Sequence, residues 1–354
     1  MRVLVITTMR NEAPFVLEWI AYHQHIGVTD FLIYSNDCAD GTDLLLDRLE
    51  ARGIISHVRN HAGGKKTVQW RALSKARNHV LAQNADWVYV ADVDEFLCIH
   101  AGGGHLHDLM AAAPDAEGFA IPWRMFGNNG VQAFEDAPIL GQFTRAAPER
   151  LLWPWRAVQF KSLYRNDPRY DRLGVHKPRI REREKAGHWV DGNGAAMPAV
   201  PGTVALTTGD RYALAQINHY AVGAMDSFLV KSARGKPNHS SDPIDLAYWA
   251  DRNFNDMEDK RILRHLPAVE ERLADLRSDA ETARLHDAGV AWRKAKIAEL
   301  MRQSDSFYLM ARLQQMPPTK VLPMQMQRQL LRQLGVVRKL QAERRARAEE
   351  DKPL

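Results

Sequence analysis

The chain has 354 residues, 45% of them hydrophobic and 26% charged, which suits one large or two modest domains with a substantial core. Only two cysteines, Cys38 and Cys98, are present, so a disulfide framework is excluded and a reducing compartment is expected. No stretch approaches the ~20 apolar residues of a membrane span, and residues 1–8 are too short and too quickly polar for a signal peptide.

The formal net charge of +5 is uneven. Residues 145–188 hold twelve Lys/Arg against five Asp/Glu, and residues 321–354 hold eight against four. A basic middle segment favours an anionic substrate. Charge alone also suits nucleic acid, but no zinc, helix-turn-helix or RNA-binding signature is present, so no nucleic-acid partner is expected.

In chain order, residues 3–8 are apolar on both faces, the mark of a strand buried in a parallel sheet. Pro14 suits a first helical turn, and Phe15, Leu17, Trp19, Ile20 and Ile26 carry that helix to Gly27. Residues 31–34 predict a second strand, ending in a polar turn at 35–42. Leu44, Leu45, Leu46 and Leu49 mark a second helix, residues 54–58 a third strand and residues 67–83 a third helix. Residues 87–90 predict a fourth strand, which ends abruptly in Asp92, Asp94 and Glu95.

This alternation is the signature of an α/β, doubly wound parallel sheet. Ligands bind beyond the carboxyl ends of such strands. The loops carrying Arg10, Asn11 and Glu12, then Asp37 and Asp40, then Asp92 and Asp94 would therefore share one edge. In an extended segment Asp92 and Asp94 point the same way. Converging carboxylates repel unless a cation joins them, and oxygen ligands suit Mg2+ or Mn2+. A solvated acidic turn is the plainer reading of an isolated pair; the strand context favours a metal–diphosphate site.

From residue 100 the pattern changes. Residues 102–104 are three glycines and read as a plain connection. A short helix at 105–112, a strand at 119–121 and a turn-rich aromatic loop at 123–130 are expected. Residues 186–211 read as a long loop, and order resumes at 212–230. Beyond 244 the chain is charged and helical, with helices expected at 258–276, 279–302 and 324–350. The last carries Leu330, Leu331, Leu334, Val337 and Leu340 on one side. It reads either as a solvated helix on the core or as a contact for a membrane surface or partner. The expected location is cytoplasmic, at or near the inner membrane surface.

Five segments resemble, in order, one family. They are residues 8–12 with Glu18, Trp19, Tyr22, His23 and Gly27; residues 36–42; Asp92, Asp94, Glu95 and Phe96 as D-x-D-E-F; Trp123, Arg124, Phe126 and Gly127 as W-R-x-F-G; and His219 and Tyr220 with Lys231, Arg234 and Gly235. The pattern is similar to the family 2-like glycosyltransferases, in the bacterial group related to the family 92 enzymes. The resemblance covers residues 1–255 and implies a GT-A-type fold, with a nucleotide-binding half at 1–100 and an acceptor-side half at 101–255. Residues 256–354 are then a helical C-terminal extension.

The resemblance further implies a nucleotide-sugar donor, with UDP-sugars favoured, and a glycan or lipid-linked acceptor. It implies inversion at the anomeric carbon, a Mn2+ or Mg2+ cofactor, and a place in glycan or polysaccharide synthesis. Carried over, Thr8, Arg10, Asn11, Glu12, Asp37 and Asp40 face the nucleoside, with Arg77, Asp92 and Lys161 also on the donor. Asp92 and Asp94 are the metal carboxylates. His219, held after a strand, is a further ligand, because Mn2+ accepts imidazole. Glu135 and Asp136 are candidates for the catalytic base, followed by Glu95. Trp123, Arg124, Phe126 and His176 fall on the acceptor side, and Arg165 and Lys177 join Lys161 as diphosphate candidates. Two other classes compete. A nucleotidyltransferase would need a glycine-rich loop after the first strand, where residues 7–11 have no glycine. A non-catalytic sugar-nucleotide-binding protein would lack the base.

Overall fold

In the computed structural model, residues 1–61, 63, 67–181, 187–197, 205–206, 211–235 and 243–350 are described, the last six by their helical path alone. The first third runs β1 (Val3–Met9), α1 (Ala13–His25), β2 (Asp30–Ser35), α2 (Thr42–Ala51), β3 (Ser56–Arg59), α3 (Val68–Ala76), α4 (Val80–Asn84), β4 (Trp87–Val90), β5 (Glu95–Ile99), α5 (Leu106–Ala112) and β6 (Gly118–Met125). Then follow α6 (Ile139–Gln142), β7 (Arg145–Ala146), β8 (Phe160–Arg165), β9 (Tyr170–Arg172), β10 (Arg179–Ile180), β11 (Trp189–Asp191), β12 (Ala215–His219), α7 (Met225–Arg234), α8 (Leu246–Ala250) and β13 (Met257–Glu258). The chain closes with α9 (Leu266–Ser278), α10 (Ala280–Leu300), α11 (Ser304–Gln315) and α12 (Met324–Glu350).

The central sheet has the order β3-β2-β1-β4-β8-β6-β12-β5, with β11 also on β6. The pairs β1–β2, β1–β4, β2–β3, β6–β11 and β6–β12 are parallel; β8 runs against β4 and β6, and β5 against β12. The expected mostly parallel, doubly wound α/β sheet is therefore present. Its strands are apolar on both faces because both faces are covered. Val3, Val5, Phe31, Ile33, Trp87 and Tyr89 enter the core beneath α1 and α2. Their neighbours Leu4, Ile6, Leu32, Tyr34, Val88 and Val90 enter the opposite core, under α3 and α4. Both cysteines are free thiols.

Several expectations need correction. The helix expected at 67–83 is two helices, interrupted at 77–79. The strand expected at 119–121 runs on through Met125, so Trp123 and Arg124 are strand residues rather than a turn. Strands β5 and β8 and helix α11 had no counterpart in the sequence reading. In β5 the acids Asp94 and Glu95 mask an apolar run. In β8 the cations Lys161 and Arg165 do the same. Part of the loop expected at 186–211 is strand β11; residues 186, 198–204 and 207–210 lie outside the described residues.

The helices beyond 255 form an outer layer on the sheet-bearing part. Helix α9 packs on α1, and α10 packs on α1, α2 and α7. Val269, Leu276 and Leu285 belong to the principal core. Gly289 permits the closest approach: a Cβ there would fall 2.4 Å from the Ala13 Cβ. One turn later, Arg293 reaches the carboxyl edge of the sheet. Helix α12 is mostly exposed, but the buried Gln327 side chain accepts from the Leu152 and Trp153 amides. Among the described residues no helix is long and apolar enough to cross a membrane.

Candidate active site

A cleft opens where β1, β4 and β12 end, with Glu12, Asp94, Glu135, Lys231, Arg234 and Arg293 in its wall. Phe15, Phe134, Phe143 and Tyr220 supply its apolar surface. Three carboxylates and three cations thus face one partly dry space.

Asp94 closes the turn between β4 and β5, and its carbonyl accepts from the Tyr220 amide beyond β12. Its Oδ2 accepts from Lys231 Nζ at 2.5 Å, and Lys231 also donates to the Ala221 carbonyl at 2.7 Å. Burial opposes the charge on Asp94, but the Lys231 ammonium holds its carboxyl well below the usual carboxylate range. On the other side, His219 Nε2 lies 3.7 Å from Asp94 Oδ1. Burial pushes the His219 imidazole down to about 3, so it is neutral at physiological pH. Its ring packs on Trp123 with centroids 4.5 Å apart, and its Nδ1 has no hydrogen-bond partner among the described residues. An ionised carboxylate oxygen facing a neutral imidazole nitrogen is a donor set that Mn2+ accepts.

Glu12 is held by Arg234, which also donates to the Arg10 carbonyl. Arg293 crosses from α10, donating to the Asn11 carbonyl at 2.7 Å and the Ser227 hydroxyl at 2.8 Å. Its guanidinium lies 4.6 Å from the Phe15 ring centre, and burial lowers its pKa to about 10. Below the cleft, Lys161 is fully buried between Asp92 Oδ2 at 3.0 Å and Glu95 Oε2 at 3.2 Å. Burial works against the Lys161 charge, yet these two carboxylates hold its pKa above the ordinary value. Gln69 donates to the other Asp92 oxygen at 3.2 Å, and the Asp92 amide donates to Glu95.

The family model for glycosyltransferase family 92 matches residues 3–194, more than half of the chain. The chain belongs to glycosyltransferase family 92. It is 28% identical over 157 residues to a family 92 protein of Oryza sativa subsp. japonica, covering 41% of this chain and 25% of that one. It is 33% identical over 92 residues to a family 92 protein of Arabidopsis thaliana, covering 26% and 16%. The matched stretches thus span a quarter or less of these curated relatives. Among solved structures it is similar to S. aureus TarS, at 17% identity over 47% of this chain and 28% of that one, with a TM-score of 0.29. The 1–349 segment of TarS in complex with UDP-GlcNAc gives 17% identity, 47% and 46% coverage, and a TM-score of 0.27. Likeness at this level places no residue.

Within this family 92 chain the structure sorts the residues singled out from sequence. Asp94, Glu12 and Glu135 meet at the cleft, and His219 lies buried behind Asp94. Arg10 and Asp37 are on the same edge, Arg10 exposed and Asp37 accepting from His61 Nδ1 at 3.1 Å. Asn11 and Asp37 adopt positive φ, 57° and 45°, where asparagine and aspartate are the most tolerated side chains. The Asn11 side chain accepts from the Ala39 amide, tying the first two loops together. Thr8 is half-buried, one residue before the end of β1.

Other assignments change. Asp40 is buried, with its oxygens taken by the Ala13 and Thr42 amides and the Thr42 hydroxyl, so it braces the starts of α1 and α2. Arg77 turns away from the cleft and donates to the Tyr170 carbonyl. Glu95 and Lys161 are fully buried, with Lys161 paired to both Glu95 and Asp92. Asp92 is bonded to Lys161 and Gln69 while its side chain stays 37% exposed. Asp136 is occupied by His286, 3.0 Å away, and Arg277. Burial opposes it, but those partners hold the Asp136 carboxyl below its usual range. Arg124 is a buried ion-pair partner of Asp259 at 2.7 Å, and Phe126 is core beside Tyr220. Trp123 and His176 pack on one another near His219, and the His176 Nδ1 donates to the Phe160 carbonyl. Arg165 lies over the Trp87 ring, at the amino end of β4.

Lys231 and Arg234 were visible in sequence only as members of a motif, without roles. Gln69 and Arg293 carried no signal at all; Arg293 lies on a helix whose spacing says nothing about a site 280 residues earlier. Sequence distance hid it, and the close contact at Gly289 put it there.

Proposed function

We propose that this family 92 protein transfers a sugar from a nucleotide-sugar donor, with UDP-sugars favoured, to a hydroxyl of a glycan or lipid-linked acceptor. The supporting observation is the cleft itself, which sets Asp94 and Glu135 opposite Lys231, Arg234 and Arg293 at the carboxyl ends of parallel strands. In the transfer, the acceptor oxygen bonds to the anomeric carbon as the carbon–diphosphate bond breaks. Its proton passes to Glu135, an exposed carboxylate on the cleft wall with no ion-pair partner among the described residues. Displacement from the opposite face inverts the configuration.

Lys231, Arg234 and Arg293 receive the negative charge of the leaving diphosphate, in a space where water is scarce and each cation counts for more. Asp94 and His219 are the residues that would hold Mn2+ or Mg2+, which supplies further charge neutralisation to the diphosphate. Asp37, Arg10 and Thr8 border the nucleoside side. The exposed Val336, Val337 and Leu340 on the basic helix α12 suit peripheral contact with a membrane or partner, as glycan or polysaccharide synthesis at the inner membrane surface would use.

A thermal-shift screen of UDP-, GDP- and CMP-sugars with Mn2+ tests the reading, because a ligand that binds only the folded state raises the melting temperature. UDP-sugars should give the largest shift and be hydrolysed slowly. No shift and no hydrolysis with any nucleotide sugar would reject the proposal.

A further inference from the structure

At the opposite end of α1 from the cleft, three histidines converge. His25 closes α1, roughly 20 Å along the helix from Glu12. His105 precedes α5 and His265 precedes α9. Each offers a ring nitrogen within 4.8 Å of the others. His25 Nε2 and His265 Nδ1 are 3.0 Å apart, and the three ring centres are 5.0 to 5.6 Å apart. The last of the three glycines at 102–104 is needed for this approach: a Cβ on Gly104 would fall 2.6 Å from His265 Nε2.

We propose that His25, His105 and His265 form a binding site for a zinc-type divalent transition metal, separate from the cleft. Three imidazoles with an open fourth position are a recurrent zinc donor set. Two nitrogens bound tetrahedrally at about 2.0–2.1 Å lie about 3.4 Å apart, close to the spacing already present between His25 and His265. His265 is buried and the other two rings are half-buried, so the site is dry on one side and reachable on the other. The Asp108 carboxylate accepts from the His105 amide and lies 3.7 Å from His105 Nδ1, which places a negative charge beside the site.

Two cations work against the site. Arg272 acts on His25. Arg264 Nε donates to His265 Nε2 at 3.3 Å. Metal on His25 Nε2 and His265 Nδ1 replaces the hydrogen bond between them, moves the His265 ring proton to Nε2 and gives up the long Arg264 bond, while Arg264 keeps its bonds to the Ile99 and Gly102 carbonyls. In return, the ion would join α1, α5 and α9 and so pin the outer helical layer to the sheet.

The test uses the full chain, stripped with a chelator and titrated with Co2+, then displaced with Zn2+. The expected result is one Co2+ with the intense visible absorption of four-coordinate cobalt, displaced by Zn2+ with a rise in melting temperature. His25→Ala and His105→Ala, both at half-buried positions, should each weaken Co2+ binding at least ~10-fold. Asp94→Ala, which removes the cleft carboxylate, should leave this spectrum unchanged, as should His107→Ala at the exposed ring stacked on His105. Spectra of six-coordinate cobalt only, or equal affinity in the wild type and both ligand variants, would overturn the proposal. So would loss of the four-coordinate signal in Asp94→Ala.

Discussion

Replacing Lys231 with Met removes the ammonium from the cleft and keeps most of the side-chain volume. Asp94 and Lys231 are 22% and 16% exposed, so their pair is largely withdrawn from water. Breaking a buried pair by removing one partner costs about 3–5 kcal/mol, because the other charge is left unpaired. Allowing for the exposed fraction, Lys231→Met should cost roughly 2–3 kcal/mol, read as a drop on the order of 3–4 °C in melting temperature. Asp94→Asn, in Lys231→Met, should recover part of that loss, giving a coupling of about 1–3 kcal/mol in the double-mutant cycle. Mn2+ offers the same neutralisation from outside. At a concentration 100-fold above its dissociation constant it would contribute about 2.7 kcal/mol. The Mn2+-induced thermal shift should therefore be larger in Lys231→Met than in the wild type, and absent in Asp94→Asn. Additive losses in the cycle, or equal Mn2+ shifts in all three proteins, would refute the assignment of Asp94 as the shared anion.

Glu135→Gln should lower transfer by roughly 10²–10⁴-fold with donor affinity unchanged, whereas Asp136→Asn should chiefly lower stability; the reverse pattern would make Asp136 the base. Asp37→Ala should raise the donor dissociation constant more than it lowers turnover at saturation. Asp40→Ala should instead lower the melting temperature, since two buried amides lose their acceptor, at a cost of roughly 1–3 kcal/mol each. Acid should destabilise the fold. Burial lowers His23 and His176 to about 4 and His219 to about 3, from 6.5, so their contribution is present above pH 6.5 and lost as the pH falls toward 4. Glu18, raised by burial from 4.5 to about 7, works oppositely, stabilising below 4.5 and losing that effect as the pH rises to 7. Melting curves from pH 7 to 4 should therefore fall, and fall more steeply in Glu18→Gln; a flat profile would contradict the burial. Truncation after Gly335, which keeps the Gln327 anchor, should leave Mn2+-dependent donor hydrolysis intact but weaken retention on anionic vesicles.

By itself the sequence determined the layered sheet and the position of its functional edge. Strands such as 3–8 and 87–90 are apolar on both faces only because helices cover both, and that pattern is local. The polar ends of the same strands mark the carboxyl edge, so Glu12, Asp37 and Asp94 could be placed there without coordinates. Residue type could not say which polar groups stay available. Asp40, Glu95, Lys161 and Arg124 look like site residues in one dimension. Each is spent on a buried partner that only packing supplies: the Ala13 and Thr42 amides, Lys161, Asp92 with Glu95, and Asp259. Equally, Arg293 enters the site because Gly289 lets α10 touch Ala13, and Lys231 meets Asp94 across 137 residues. Burial and long-range pairing decide availability, charge state and proximity, and all three are properties of the closed fold rather than of any segment of the chain.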